Sequence, residues 1–193
     1  MEDFYTIQGE GAFQGHAAYF IRLAGCDVGC TWCDVKASWD ANAHPVVAVA
    51  DIVGRAKHYG GKIAVVTGGE PTLYDLTGLT AKLGEAGMRT HLETSGAHEI
   101  TGRWDWVCLS PKKFKKPVRS SFRLASELKI IVYNKSDFAW AEEHASHVPE
   151  ACLLYLQPEW SKEKEMVPHI VDYVKSHPRW RISLQAHKYM DIP

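Results

Sequence analysis

Long apolar runs are missing from this 193-residue chain. No stretch approaches the ~20 residues a membrane-spanning helix needs, and the acidic start Met1-Glu2-Asp3 lacks the basic and apolar segments of an export signal. The chain is therefore expected to be soluble, unexported and cytoplasmic, with no membrane partner. A surplus of either charge is missing too. Lys and Arg number 22 against 23 Asp and Glu, a net charge of -1, which argues against direct nucleic-acid binding, since that affinity comes from excess cations on phosphates. Cysteine is scarce and odd in number, 5 in all, which does not fit a secreted disulfide framework. No repeat, low-complexity segment or Pro/Gly/Ser linker divides the chain. With 46% hydrophobic and 23% charged residues, it reads as a single globular domain over 1–193.

What recurs is a short apolar run, a polar turn and a helix-like stretch. Segments 18–23, 63–67, 90–93, 106–110, 127–132, 153–157 and 182–185 read as strands, short and largely β-branched or aromatic, most of them buried on both faces. Segments 49–59, 76–86, 137–147 and 163–176 carry helical spacing, with Gly60, Gly61 and Gly87 as stops; Pro168 must sit in a first turn or kink its helix. The alternation implies an α/β fold with a mostly parallel curved sheet. The strands are too few for an eightfold barrel, so a partial, open β/α barrel is expected. In such sheets the site lies beyond the strands' carboxyl ends, and here those ends are polar and glycine-rich.

The cysteines are informative by placement. Cys26, Cys30 and Cys33 crowd one glycine-containing loop, with three and then two residues between them, while Cys108 and Cys152 stand apart and read as small apolar residues. Soft thiolates at this spacing suit zinc or an iron–sulfur cluster. Zinc needs a fourth ligand, which His16 or His44 would have to supply. Three thiolates on a four-iron cluster instead leave one iron open for a cofactor or substrate.

This spacing resembles the cluster motif of the radical S-adenosylmethionine (SAM) enzymes. Other segments narrow the likeness: Gln8-Gly9-Glu10-Gly11, Phe20 to Cys26, Thr67-Gly68-Gly69-Glu70-Pro71, Glu93-Thr94-Ser95-Gly96, Ser110-Pro111-Lys112, Glu127-Leu128-Lys129, Gln157-Pro158 and Gln185-Ala186-His187-Lys188-Tyr189. In order and over essentially the whole length, they are similar to 7-carboxy-7-deazaguanine synthase. The resemblance implies an abbreviated radical SAM core that converts 6-carboxy-5,6,7,8-tetrahydropterin to 7-carboxy-7-deazaguanine with loss of ammonia, on the pathway to the queuosine of transfer RNA. It implies a 4Fe-4S cluster on Cys26, Cys30 and Cys33, with SAM on the open iron supplying the radical chemistry.

Carried over by motif, Ile7, Gln8, Gly9 and Glu10 line the pterin, Arg22 pairs with its carboxylate, and Thr67, Glu93, His187 and the terminal Pro193 complete the substrate site. Glu93 is also ranked with the cluster cysteines as catalytic. Trp32, Gly69, Ser110, Pro111, Lys112, Lys129 and Gln157, Pro158, Glu159 and Trp160 hold SAM, with Gly69 letting the backbone approach its methionine part. Each has a plainer alternative: Arg22 as a strand-end salt bridge, Trp32 as a core residue, His187 as a satisfied buried histidine. The basic run Lys112, Lys113, Lys115, Lys116, Arg119 and Arg123 reads first as a solvated loop and second as a docking patch for an electron donor such as flavodoxin. A homodimer follows by analogy.

One position departs from the family. After the last cluster cysteine and Asp34, the family usually carries Thr or Ser, whose hydroxyl helps hold magnesium; here Val35 has no lone pair to offer. Resemblance implies Mg2+ as a cofactor, while the local chemistry implies weaker dependence on it, with a water or the Lys36 ammonium filling the place. Two other classes stand beside this reading: another radical SAM enzyme, such as a glycyl-radical activase, and a zinc module.

Overall fold

Side chains alternate along the strands between an apolar face and a mixed one, and this alternation organises the molecule. The computed structural model describes residues 1–193. Its sheet runs in chain order: β1 (Glu2–Ile7), β2 (Ala17–Leu23), β3 (Ile63–Gly68), β4 (Arg89–Thr94), β5 (Trp106–Leu109), β6 (Glu127–Val132), β7 (Leu153–Pro158) and β8 (Trp180–Ile182). From β2 to β8 every pairing is parallel, and only β1 is antiparallel to its neighbour. β8 and β1 are not paired, so the barrel stays open, as expected.

The apolar face packs under the helices. α1 (Val49–His58) and α2 (Thr77–Glu85) cover Tyr19, Ile21, Val66 and Leu92 through Val53, Ala56, Leu79 and Leu83. α3 (Arg119–Leu124), α4 (Asp137–Ala145) and α5 (Glu163–Ser176) cover Leu128, Ile130, Leu154 and Leu156 in a second cluster. On the other face, Ala18, Ile63 and Val65 meet Phe13 at one end. Thr67, Glu93 and Gln157 near the strands' carboxyl ends, Ser110 just past β5 and Lys129 in the middle of β6 bring polar groups to the other end. The second face is thus buried, yet much of it is polar.

Gly60 (φ +67) and Gly87 (φ +76) end α1 and α2 in the left-handed conformation. Gly61 is not such a stop: a Cβ there would stand 2.9 Å from the Tyr5 ring, so it makes room for packing. Five features differ from the expectation. β1 went unread because an edge strand holds charged and half-exposed residues without clean alternation. β8 lies at Trp180–Ile182 rather than 182–185, because buried Trp180 pairs with Leu154 and the chain then turns inward at Ser183. α3 is one short turn inside the basic run, and α6 (Ala186–Met190) lies within the tail motif. Pro168 is in the second turn of α5, which runs through it, leaving the Lys164 carbonyl without its helical donor. No helix is long and apolar enough to cross a membrane.

Candidate active site

Three cysteines line one cavity beyond the ends of β2 and β3. The loop that carries them is knitted to the neighbouring strand end: Gly69 N–H donates to Leu23 O (2.9 Å) and Glu70 N–H to Gly25 O (2.8 Å). A Cβ at Gly69 would lie 2.1 Å from the Gly25 carbonyl oxygen. Glycine at 69 is therefore demanded first by the close approach of the cysteine loop, a requirement the sequence reading had put on SAM alone. Between Cys26 and Cys30, Asp27 accepts from His98 Nε2 (3.0 Å) and from Lys115 Nζ (2.5 Å), fastening the loop to the β4–β5 connection and to the basic segment.

All three thiols are free, and Cys26 and Cys33 pack against the small cluster of Val28, Cys30 and Ala97. Burial pushes the Cys30 thiol up to about 11, with Cys33 and Cys26 adding to it and the Lys112 ammonium opposing it. Binding iron must expel that proton. No three His, Cys, Asp or Glu side chains converge as a single-ion site, and neither His16 nor His44 joins the cysteine wall. Three thiols with no fourth protein ligand beside them match a cluster with one open iron rather than a closed structural zinc site.

Glu70 holds the next strand ends. Its carboxylate, 1% exposed, accepts from Thr72 N–H (3.1 Å), Thr72 Oγ1 (2.7 Å), Thr94 Oγ1 (2.5 Å), Ser95 N–H (2.9 Å) and the Ser95 hydroxyl. Five donors satisfy it completely, so Glu70, itself part of the cavity wall, fixes Thr94 and Ser95 beside it. Its motif was legible in the sequence, whereas this role was not.

Deeper in, charges are paired. Lys129 Nζ donates to Glu10 (2.6 Å) and Glu93 (2.9 Å), Gln8 Nε2 to Glu93 (3.2 Å) and Gln185 Nε2 to Glu10 (3.0 Å). Burial raises the Glu10 carboxyl, but Lys129, Gln185 and His187 outweigh it and bring it down to about 2. Burial works against the charge on Lys129, but the carboxyl groups of Glu10, Glu93 and Glu127 outweigh it and hold the ammonium well above the ordinary lysine value. Burial raises Glu127, which accepts from the Cys108 thiol at 3.4 Å. Cys108 is thus a hydrogen-bonding group and not simply a small apolar one.

Three cavities collect the predicted residues. The first, about 330 Å³, is lined by Cys26, Cys30, Cys33 and Trp32, by Gly69, Ser110, Lys112 and Lys129, and by Gln157, Pro158, Glu159 and Trp160. Pro111 lies outside it, on a neighbouring cavity of about 500 Å³ walled also by Trp32, Phe114, Tyr133 and Trp140. A third, about 190 Å³, brings together Ile7, Gln8, Gly9, Arg22, His187 and Pro193. Glu10, Thr67 and Glu93 belong to both the first and the third.

Several expectations change. Arg22 pairs with Glu2 (2.6 Å) and lies over the Phe4 ring, as its plainer alternative has it, and it also lines the third cavity, where the substrate role would put it. Lys36 stands over Trp39 and lines none of these cavities; the ammonium near Asp34 belongs to Lys188, at 3.3 Å. In the basic run, Lys112 turns in to Ser110 Oγ (2.8 Å), Lys113 pairs with Asp137, and Lys115 with Asp27 (2.5 Å). Lys116, Arg119 and Arg123, like Lys112, stay outside ion pairs, and of these only Lys112 turns into the site. The site also contains residues quoted in motifs but given no role, namely Thr94, Ser95, Gln185 and Lys188, and Trp39, which no sequence signal marked.

Comparison with known proteins adds to this geometry. The family model described as Radical SAM superfamily matches residues 20–107. The 7-carboxy-7-deazaguanine synthase of Flavobacterium psychrophilum is 58% identical over 193 residues, covering 100% of this chain and 91% of its own length. The enzyme of that name from Escherichia coli K12 is 32% identical, covering 99% and 97%. The crystal structure of QueE from Escherichia coli superposes with a TM-score of 0.85 at 30% identity, over 96% of this chain and 92% of that one. Streptococcus suis SuiB, solved bound to S-adenosylmethionine, shares the fold, with a TM-score of 0.56 at 13% identity over 84% of this chain and 45% of its own.

Proposed function

The chain belongs to the 7-carboxy-7-deazaguanine synthase family of radical SAM enzymes, and from that premise we propose how its residues divide the conversion of 6-carboxy-5,6,7,8-tetrahydropterin to 7-carboxy-7-deazaguanine and ammonia. Cys26, Cys30 and Cys33 would hold the 4Fe-4S cluster, and the thiol-bearing cavity that they share with Trp160 would take SAM. Cluster and SAM together supply, when bound, a 5′-deoxyadenosyl radical that exchanges hydrogen with the substrate.

The chain's residues do the rest. Glu93 and Gln8 offer hydrogen-bonding groups to the edge of a planar heterocycle, and Lys129 fixes the Glu93 and Glu10 side chains by charge-assisted hydrogen bonds. Arg22 can exchange its partly exposed pairing with Glu2 for the substrate carboxylate, because such pairs are worth little. Burial lowers the His187 pKa, so its ring is neutral at physiological pH and can either donate or accept. The observation that carries this reading is the shared wall. Glu10, Thr67 and Glu93 line both the thiol-bearing cavity and its neighbour, so ligands seated in the two are adjacent. Anaerobic turnover of the carboxypterin with SAM and a reductant tests it. Release of ammonia and the deazaguanine is expected; reductive cleavage of SAM without that product would assign another radical SAM reaction.

The residues around Val35 do not fit a protein-held magnesium ion. The Val35 carbonyl is taken by Ser38 N–H (2.9 Å) and Oγ (2.7 Å), and Asp34 is paired with Lys188. Magnesium dependence should therefore be weaker in the wild type than in Val35→Thr, and a magnesium titration of turnover checks this; equal dependence would show that the hydroxyl is unimportant. The family needs a reductant. We assign its docking to the side of the cluster loop bearing Lys116, Arg119 and Arg123, a smaller patch than the basic run suggested. Homodimerisation rests on family membership, and sedimentation tests it.

A further inference from the structure

We propose that Glu127, which lines none of the three cavities, is a positioning residue that sets where the loop Gln8–Phe13 presents Gln8 and Glu10. The inference rests on reading the third cavity as the substrate site. A carboxylate only 2% exposed is costly to hold in the interior unless its oxygens are satisfied. Glu127 is satisfied by three donors: Ala12 N–H at 3.0 Å, the Trp106 indole N–H at 3.2 Å and the Cys108 thiol at 3.4 Å. Two of these donors come from the sheet. The third comes from the loop.

Loop and carboxylate are shaped to each other. Gly11 has φ +63, and a Cβ there would lie 2.0 Å from Glu127 Oε1, so only glycine lets the chain pass. One residue earlier, Glu10 meets Lys129 at 2.6 Å, and Gln8 meets Glu93 at 3.2 Å. Glu127 and Lys129 are two apart on β6 and project to the same face. The loop is thereby pinned to one strand at two points, and slippage would break both. Phe13 is a rival anchor, its ring 5.0 Å from that of Trp106 and 4.4 Å from that of His91. Ring packing sets the depth of the loop, but it tolerates sliding that a directional N–H···O bond does not.

The experiment measures two things in wild type, Glu127→Gln and Gly11→Ala: amide hydrogen exchange of residues 8–13 without substrate, and KM and kcat for the carboxypterin in the reconstituted enzyme. A carboxamide keeps the volume of Glu127 but replaces one acceptor oxygen with an N–H donor. Exchange across the loop should speed up by about tenfold or more, and KM should rise about tenfold with a smaller fall in kcat. Iron content and cluster spectrum should stay at wild-type values. Gly11→Ala, which leaves Glu127 intact, should reproduce the pattern and decides the matter if Glu127→Gln does not fold. Unchanged exchange in either folded variant would leave the loop to its other anchors, Phe13, the Gly11 N–H bond to Ser183 Oγ and the Ala186 N–H bond to Gly9 O, and overturn the proposal, as would faster exchange with unchanged KM. A wild type that does not turn over the carboxypterin would instead refute the substrate reading, leaving exchange to decide whether Glu127 holds the loop.

Discussion

His91 is 3% exposed, packed against Phe13 and Trp106, and its Nε2 has no hydrogen-bond partner. Burial, helped by the Arg89 charge, lowers its pKa from 6.5 to about 4. The folded protein therefore keeps the imidazole neutral while the unfolded chain takes up a proton near pH 6.5. Stability is full above that pH and falls as the pH drops toward 4. The loss between pH 7 and pH 5 is about 2 kcal/mol. Urea unfolding at the two pH values, in wild type and His91→Phe, should show a steeper loss in the wild type by this amount; parallel losses would mean that His91 is not a source. At this scale the sequence showed which residue types stand at which motif positions. Whether Arg22 faces a substrate or Glu2, and whether Cys108 is inert or bonded to Glu127, depends on chain segments far away in sequence.

Among the elements, α5 carries the clearest internal conflict. Pro168 is exposed in its second turn, where it removes the donor to Lys164 O. Alanine would restore that bond and remove a ring clash, a gain of up to about 3 kcal/mol reduced by about 1 kcal/mol of added unfolded-chain entropy. Pro168→Ala should therefore raise the unfolding free energy by about 1–2 kcal/mol without altering turnover, as denaturant titration will read. A destabilised variant would show that the helix has adapted to the proline. Long periodic helices and β-branched strands were legible from sequence because burial of one face imposes a period. β1, β8 and α6 were not, since short or edge elements bury too little to carry a pattern.

Across the whole molecule, the two chain ends meet over the open side of the sheet. Ala186 N–H donates to Gly9 O at 3.0 Å, Gln185 bonds to Glu10, and Pro193 lines the cavity that also holds Gln8 and Arg22. The last four residues are mostly exposed, so removing them costs the core almost nothing. Deleting Met190–Pro193 should raise the KM for the carboxypterin by about tenfold, equivalent to about 1.4 kcal/mol, while the unfolding midpoint stays put. An unchanged KM would make the tail a frayed end.

The order of strands and helices, the open parallel sheet and the thiolate loop were determined by the sequence itself, because hydrophobic period, glycine stops and ligand spacing are local properties that burial and metal chemistry read directly. So were the segments that carry the resemblance to a family. The partnerships inside the site were decided by tertiary structure alone. Lys129 and Glu10 are 119 residues apart, Gly11 and Ser183 are 172 apart, and Glu127 receives Ala12 across 115. No local pattern selects, among the 23 acidic residues of the chain, the two that pair with the buried Lys129 ammonium. The choice is made by the sheet, which sets the few positions where a charge can leave water and still be fully paired.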